Sequence, residues 1–178
     1  VTQDPESLRE FYRLHNERIV VKPMAKGYVE RPATHHDCLI YTNLVSEEHL
    51  SNLDDLPMAP TLFQRYVEKS FDVRLTVVDD RMHAVELRAE DKGIQRCDIR
   101  RDNMNDVRYR EISLPQDIVT RVTRLMRNYR LRFAAIDFAV SDDDRWYFLE
   151  VNPNGQWAWM DIEGATGIAS SFVRSFTA

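Results

Sequence analysis

The spacing of apolar residues along the chain predicts several amphipathic helices. Asp4 and Pro5 mark the start of the first one, because aspartate caps helix N-termini and proline suits the first turn. A longer helix opens after Leu114-Pro115, where apolar residues recur at i, i+4, i+7 and i+8. The helical segments expected from this spacing are 4–15, 46–55, 114–129 and a last one from about Gly164 onward.

Other segments are short, rich in β-branched residues and bounded by turn formers, which is typical of strands. Asp79-Asp80 reads as a tight turn between two of them. The expected strands are Arg18–Lys22, Cys38–Tyr41, Leu62–Val67, Asp72–Val78, Met82–Arg88, Gln95–Ile99, Phe133–Val140 and Trp146–Asn152. Helices interleaved with mostly antiparallel strands predict an α+β fold.

The last two strands form a hairpin that carries acids among apolar residues. Alternation places Asp137 on one face of its strand, and Glu150 and Asn152 on one face of the partner strand, opposite Tyr147 and Val151. Neighbouring strands lie roughly 4.8 Å apart, so the three side chains can converge. Oxygen donors without Cys or His favour a hard cation such as Mg²⁺. The alternative is a solvent-facing polar side of an ordinary amphipathic hairpin.

Several cationic positions are open to two interpretations. Lys22 ends an apolar strand, where it either contacts a phosphate or extends to solvent. Arg74 shares a strand face with Asp72 and either clamps an anion or forms a cross-strand ion pair. His35-His36 is interpreted as part of a solvated loop. A local arginine cluster either receives an acidic substrate or consists of ordinary surface residues: Arg100, Arg101, Arg108 and Arg110.

Composition narrows the class of protein. The chain has 178 residues, 43% hydrophobic and 30% charged, with a net charge of −5, which argues against a nucleic-acid partner. Cys38 and Cys97 form no CxxC pair, which is consistent with reduced thiols in a cytoplasmic protein. No apolar run approaches the ~20 residues that span a bilayer, so no membrane partner is expected. The sequence contains neither GxSxG nor a P-loop.

The segment FLEVNPNGQW resembles the metal-binding hairpin of ATP-grasp enzymes. More narrowly, NPNGQWAW together with FQRYVEK and DVRLTVV resembles the ligases that mature graspetides, the microviridin-like ribosomal peptides. The similarity also takes in TQDPESLREFY, IVVKP, LIYTNLV, LPQDI and AAIDFAV, and so runs through nearly the whole chain. It implies an ATP-grasp fold with a small central lobe over 1–66 and a C-terminal catalytic lobe over 67–178. The family's N-terminal domain has no counterpart here, so weak nucleotide binding by this chain alone is expected.

The resemblance also implies roles for individual residues. For ATP binding it implies a phosphate contact from Lys22, an adenine-reading hinge at Gln64, Arg65, Tyr66 and Val67, and ribose and phosphate contacts from Glu68, Lys69 and Asp72. For magnesium it implies the ligands Asp137, Glu150 and Asn152. For catalysis it implies Arg74 near an acyl-phosphate and Arg100 in an Asp-aromatic-Arg stretch. That stretch reads Asp98-Ile99-Arg100 here and lacks the aromatic residue, which weakens the transfer of a substrate role to Arg100.

The activity implied by the resemblance is ATP-dependent ligation within a ribosomally made precursor peptide that carries a leader segment. ATP and two Mg²⁺ ions are the implied cofactors, and a homodimer is the implied assembly. Two alternatives stay open: a glutamate-type ligase acting on another acid, and a catalytically silent peptide-binding module. Stimulation of ATP use by a free amino acid distinguishes the first, and peptide binding indifferent to MgATP distinguishes the second.

Overall fold

The computed structural model describes residues 1–24, 27–29, 38–89, 93, 97–101, 104–164 and 166–177. His35-His36 and the first two residues of the expected strand Gln95–Ile99 lie outside the described residues. By its backbone contacts the chain divides into two compact units, the first comprising Val1–Val67 with Gly93–Asp102 and the second Glu68–Lys92 with Asn103–Ala178. The expected lobe boundary between 66 and 67 stays a prediction.

The first unit is built around a three-stranded antiparallel sheet. Strand β1 (Ile19–Lys22) lies at its centre, between β4 (Asn43–Leu44) and β5 (Leu62–Arg65). Two further short strands, β2 (Tyr28–Val29) and β3 (Cys38–Leu39), pair with each other.

Two helices complete the first unit. Helix α1 (Pro5–Leu14) begins as expected, because the Asp4 carboxylate accepts a hydrogen bond from the Ser7 amide at 2.8 Å. Its buried face packs with β1 to form the core of this unit. Helix α2 (Glu47–Ser51) is shorter than expected and is capped by Ser46.

The second unit contains a five-stranded antiparallel sheet in the order β10-β9-β6-β7-β8. Its strands are β6 (Phe71–Val78), β7 (Arg81–Ala89), β8 (Val107–Ile112), β9 (Phe133–Val140) and β10 (Trp146–Asn152). Its helices are α3 (Gln116–Asn128), α4 (Ala158–Gly164) and α5 (Ile168–Thr177).

Helices cover both faces of this sheet. The apolar stripe of α3, formed by Ile118, Val122 and Met126, packs against one face and encloses Leu75 and Ile136. On the opposite face, Met160 of α4 and Ile168 of α5 pack against Val78 and Val85. The acids expected in the hairpin project from this second face. Because both faces carry packed apolar residues, the strands are held rigidly where these acids emerge.

The structure corrects three expectations. In the described part of Gln95–Ile99, residues 97–99 form turns rather than a strand. The strand β8 was not expected, because its alternation is obscured by Arg108 and Arg110. The C-terminal region contains two helices instead of one from Gly164, since Asp161 caps α5 by accepting hydrogen bonds from the amides of Ile168 and Ala169 at 2.9 and 2.7 Å.

Candidate active site

A row of charged residues crosses three neighbouring strands of the second unit. Arg74 on β6 lies opposite Asp137 on β9, which in turn lies opposite Glu150 on β10. One step along the same face, Asn152 is opposite Ala135. The strand register therefore brings together the three expected metal ligands and the expected catalytic arginine on one face.

A β-bulge at Leu149 controls which residues of β10 share this face. The register shifts between Phe148 and Glu150, so Tyr147 lies opposite Ala139, on the same face as Glu150. The expected placement of Tyr147 opposite to Glu150 is therefore wrong, because the extra residue reverses the alternation. The placement of Glu150 and Asn152 beside Asp137 is confirmed by the register.

Arg74 and Asp137 form a two-pronged ion pair. The guanidinium donates from Nε to Oδ1 at 2.5 Å and from Nη2 to Oδ2 at 3.1 Å. The two side chains are 22% and 26% exposed. Burial raises the pKa of Asp137, Arg74 offsets part of that effect, and the neighbouring negative charges of Glu150 and Asp72 raise the pKa further. Of the two interpretations of Arg74, the structure shows the cross-strand ion pair.

Two further groups hold Arg74, neither of which the sequence identified in this role. Its Nη1 donates to the backbone carbonyl of Gln156 at 3.2 Å. Its Cζ lies 6.0 Å from the ring centroid of Trp159, which in turn packs on Tyr109 at 5.6 Å. Trp159 thus contacts both the site and the core of the second unit.

The turn after β10 orients Asn152. Its Oδ1 accepts a hydrogen bond from the Asn154 amide at 2.9 Å, which holds the side chain in an Asx-turn. A second lone pair of Oδ1 is left for another donor or a cation. Gly155 is buried at the end of the turn, and a Cβ atom there would lie 2.4 Å from that of Ala135. Only glycine fits at this position without displacing the backbone.

Lys69 and Asp72 form a second, more buried pair. The Lys69 ammonium donates to both Asp72 oxygens at 2.8 and 2.7 Å, and the side chains are 10% and 11% exposed. Asp72 lies two residues before Arg74 on β6, and so on the same face. Glu68, which precedes this pair, is exposed. Three of the expected nucleotide contacts therefore belong to the second unit, and the negative charge of one of them, Asp72, acts on Asp137.

In the first unit, the other expected ATP contacts lie on β1, on β5 and just after β5. Lys22 is half-buried and pairs in register with Leu62. Tyr66 is fixed by its amide, which donates to the Arg18 carbonyl at 2.9 Å, and by the Arg18 guanidinium 5.0 Å from its ring centroid. Gln64 and Arg65 are exposed at the end of β5, and the half-buried Val67 follows Tyr66.

Arg100 belongs to the first unit and is anchored on Asp98. The guanidinium donates from Nε to Oδ1 at 2.9 Å and from Nη2 to Oδ2 at 2.7 Å, while the Thr42 amide donates to Oδ2 at 3.0 Å. Burial opposes ionisation, but the hydrogen bonds from Arg100 and Thr42 lower the pKa of Asp98 to about 2. The expected arginine cluster divides between the units, since Arg110 instead pairs with the buried Glu86 of the second unit.

The donor set fits magnesium. Asp137, Glu150 and Asn152 supply only oxygen donors, and the last two are exposed, which suits a hard cation that also binds water and phosphate. Among the described residues, no group of three or more His, Cys, Asp and Glu side chains is placed to hold a metal. The candidate site instead combines two carboxylates with one amide.

Within the same described ranges, no helix has the length and apolarity to cross a bilayer.

The second unit thus presents oxygen donors and an arginine on one face of an antiparallel sheet that has helices on both faces. No protein-family model matches the chain, and a search of curated proteins also gives no match. Among solved structures, the chain is 31% identical to a RiPP-associated ATP-grasp ligase of Chryseobacterium gregarium, in complex with ADP and a leader and core peptide. That match has a TM-score of 0.86 and covers 96% of this chain and 51% of the other.

Two other ligases have the same fold. The macrocyclase MdnC of Microcystis aeruginosa MRC, bound with precursor peptide MdnA, is 24% identical with a TM-score of 0.81, over 96% of this chain and 52% of its own. The ATP-grasp ligase PsnB, complexed with a minimal precursor, is 20% identical with a TM-score of 0.74, over 98% and 53%. The expected ATP-grasp fold and the resemblance to ligases of ribosomal peptide maturation are confirmed. The chain spans about half the length of these proteins.

Proposed function

We propose that the chain is the nucleotide-binding and catalytic part of an ATP-dependent peptide ligase. The observation that carries this proposal is the row Arg74–Asp137–Glu150, which places two carboxylates and an arginine across three strands. The C. gregarium ligase, which holds ADP with a leader and a core peptide, supports a peptide substrate. A PsnB complex with Mg and ADP supports magnesium as the metal.

The proposed reaction has two steps. An Asp or Glu side-chain carboxylate of the peptide attacks the γ-phosphorus of ATP, which forms an acyl-phosphate and releases ADP. A Thr or Ser hydroxyl, or a Lys amine, then attacks the acyl carbon, loses its proton and displaces phosphate, closing an ester or amide link. The protein contributes mainly alignment and charge neutralisation, because phosphoryl transfer requires little covalent assistance.

Each group has a proposed role in this reaction. Asp137, Glu150 and Asn152 hold magnesium, which neutralises the phosphate charge when bound; two ions are proposed. Arg74 contacts the transferred phosphoryl group, and Arg100 contacts an acidic group of the peptide. The proposed ATP contacts are Lys22, Gln64, Arg65, Tyr66, Val67, Glu68, Lys69 and Asp72. We also propose a cytoplasmic location, a precursor with a leader segment as partner, and a homodimer.

Calorimetric titration with a non-hydrolysable ATP analogue, with and without Mg²⁺, tests the site. We expect Mg²⁺-dependent binding that Asp137→Ala abolishes and that Asp80→Ala preserves. Asp80 is a matched control because its side chain is 89% exposed in the turn between β6 and β7. Nucleotide binding that is indifferent to Mg²⁺ and to Asp137 would refute the metal assignment. Peptide binding unaffected by MgATP and by Asp137→Ala would favour a silent peptide-binding module.

A further inference from the structure

The ion pair between Arg74 and Asp137 occupies both oxygens of a proposed metal ligand. Nε and Nη2 of Arg74 donate to Oδ1 and Oδ2 respectively, so each carboxylate oxygen already has a cationic partner. A divalent cation bound to either oxygen would lie within a few ångströms of the guanidinium. Two positive charges that close repel each other strongly in a partly buried site. Each oxygen keeps a second lone pair, so the conflict between the two partners is electrostatic, and each of them weakens the binding of the other.

Arg74 has other contacts that remain when Asp137 is released. Its Nη1 is held by the Gln156 carbonyl, and Trp159 lies beside the guanidinium. Along the row, its other cross-strand neighbour is the apolar Val85 of β7. Arg74 can thus leave Asp137 without losing all of its support, and its charge then lacks the carboxylate that neutralised it. An anion such as a phosphate group would satisfy that charge.

We propose that Arg74 and the metal ion exchange at Asp137, so that metal binding is coupled to the arrival of a phosphate-bearing ligand. Without nucleotide, Arg74 competes with the cation for the carboxylate. With nucleotide, the phosphate takes the guanidinium and the carboxylate becomes available to the metal. This coupling rests on the proposed function, and it explains why an arginine lies directly opposite a metal ligand.

Binding of Mn²⁺ by the chain, followed through the electron paramagnetic resonance signal of the free ion, tests the exchange without any turnover. In the absence of nucleotide, we expect Arg74→Met to tighten Mn²⁺ binding on the order of tenfold, within the range typical of coupled sites. With a non-hydrolysable ATP analogue present, this advantage should disappear, because the wild-type arginine is then engaged elsewhere. Asp137→Asn added to Arg74→Met should remove the gain.

Arg132→Met is the matched control. Arg132 makes the same two-pronged contact with Asp79, at 2.7 and 3.1 Å, at the opposite end of β6 from Asp72. This variant should leave Mn²⁺ affinity unchanged. Arg74→Lys, which keeps the charge but loses the forked geometry, provides a milder variant if Arg74→Met does not fold, and a smaller gain is expected.

The outcomes separate the two proposals. If Mn²⁺ binding requires Asp137 but Arg74→Met and Arg74→Lys bind it no more tightly than wild type, the exchange is refuted and the metal site stands. If Asp137→Asn has no effect on Mn²⁺ affinity in any background, the metal site itself is refuted, and the exchange with it. A gain in Arg132→Met equal to that in Arg74→Met would show a general charge effect and would also refute the exchange.

Discussion

Protonation of Asp98 is expected to release Arg100 and to destabilise the first unit by about 1–2 kcal/mol. The pKa of Asp98 is 3.8 in the reference state and about 2 in the fold. Roughly two pKa units correspond to about 2.5 kcal/mol. Because the Arg100 side chain is 64% exposed, solvent screening reduces the stabilisation from that figure to about 1–2 kcal/mol. Because the folded-state pKa is the lower one, the stabilisation is present above about pH 4 and is lost as the pH falls towards 2.

Urea unfolding from pH 2 to pH 7 measures this contribution, with wild type compared with Asp98→Asn. Hydrogen exchange at the Thr42 amide, which donates to Asp98, reports on the first unit specifically. Wild type should be the more stable protein at pH 7, and the difference should close below pH 3. Asp80→Asn, which changes an exposed turn carboxylate, should show no such difference. A gap between wild type and Asp98→Asn that stays constant over the whole pH range would refute the reasoning.

Two further substitutions test the framework of the site. Leu75 is fully buried between the sheet and α3, so Leu75→Ala should lower the free energy of unfolding in urea by about 2–5 kcal/mol. The control Phe176→Ala, at an 81% exposed position, should change it by less than about 0.5 kcal/mol. Equal effects of the two substitutions would contradict the assignment of the core. Gly155→Ala should push the turn that contains Asn152 away from β9, because the added Cβ would clash with Ala135. We expect this variant to bind Mn²⁺ more weakly and to lose about 1–3 kcal/mol of stability. An unchanged Mn²⁺ affinity would show that the turn does not position Asn152.

The sequence predicted the elements whose hydrophobic pattern is strong. The bounds of β9 and β10 agree with those expected, because apolar residues dominate both strands and the aspartate-rich turn separates them. The same pattern predicted that Asp137 lies beside Glu150. An acid within an apolar strand costs free energy unless a cation neutralises it, and one cation can neutralise both acids only if they lie close together. The start of α1 was equally readable, because Asp4 and Pro5 act locally.

Features that depend on partners distant in sequence were not predictable. The strand β8 was hidden because Arg110 finds its counter-charge in Glu86, 24 residues earlier, and no local pattern shows that pairing. The contacts of Arg74 with Gln156 and Trp159 span more than 80 residues and depend on the turn after β10. The roles assigned to the site residues stay predictions, because their geometry is established while their ligands await the titrations.

The bulge at Leu149 divides β10 into two halves whose registers with β9 differ by one residue. Upstream of it, the strand is set by the hairpin turn; downstream, by the Asn-Pro-Asn-Gly turn and the buried Gly155. We expect insertions or deletions in the hairpin turn to be absorbed at the bulge, without rotating Glu150 and Asn152 away from Asp137. In an alignment of related sequences, the positions of Glu150 and Asn152 should therefore be found by counting backwards from Gly155. Counting forwards from the hairpin turn ignores the bulge and assigns both residues to the face opposite Asp137.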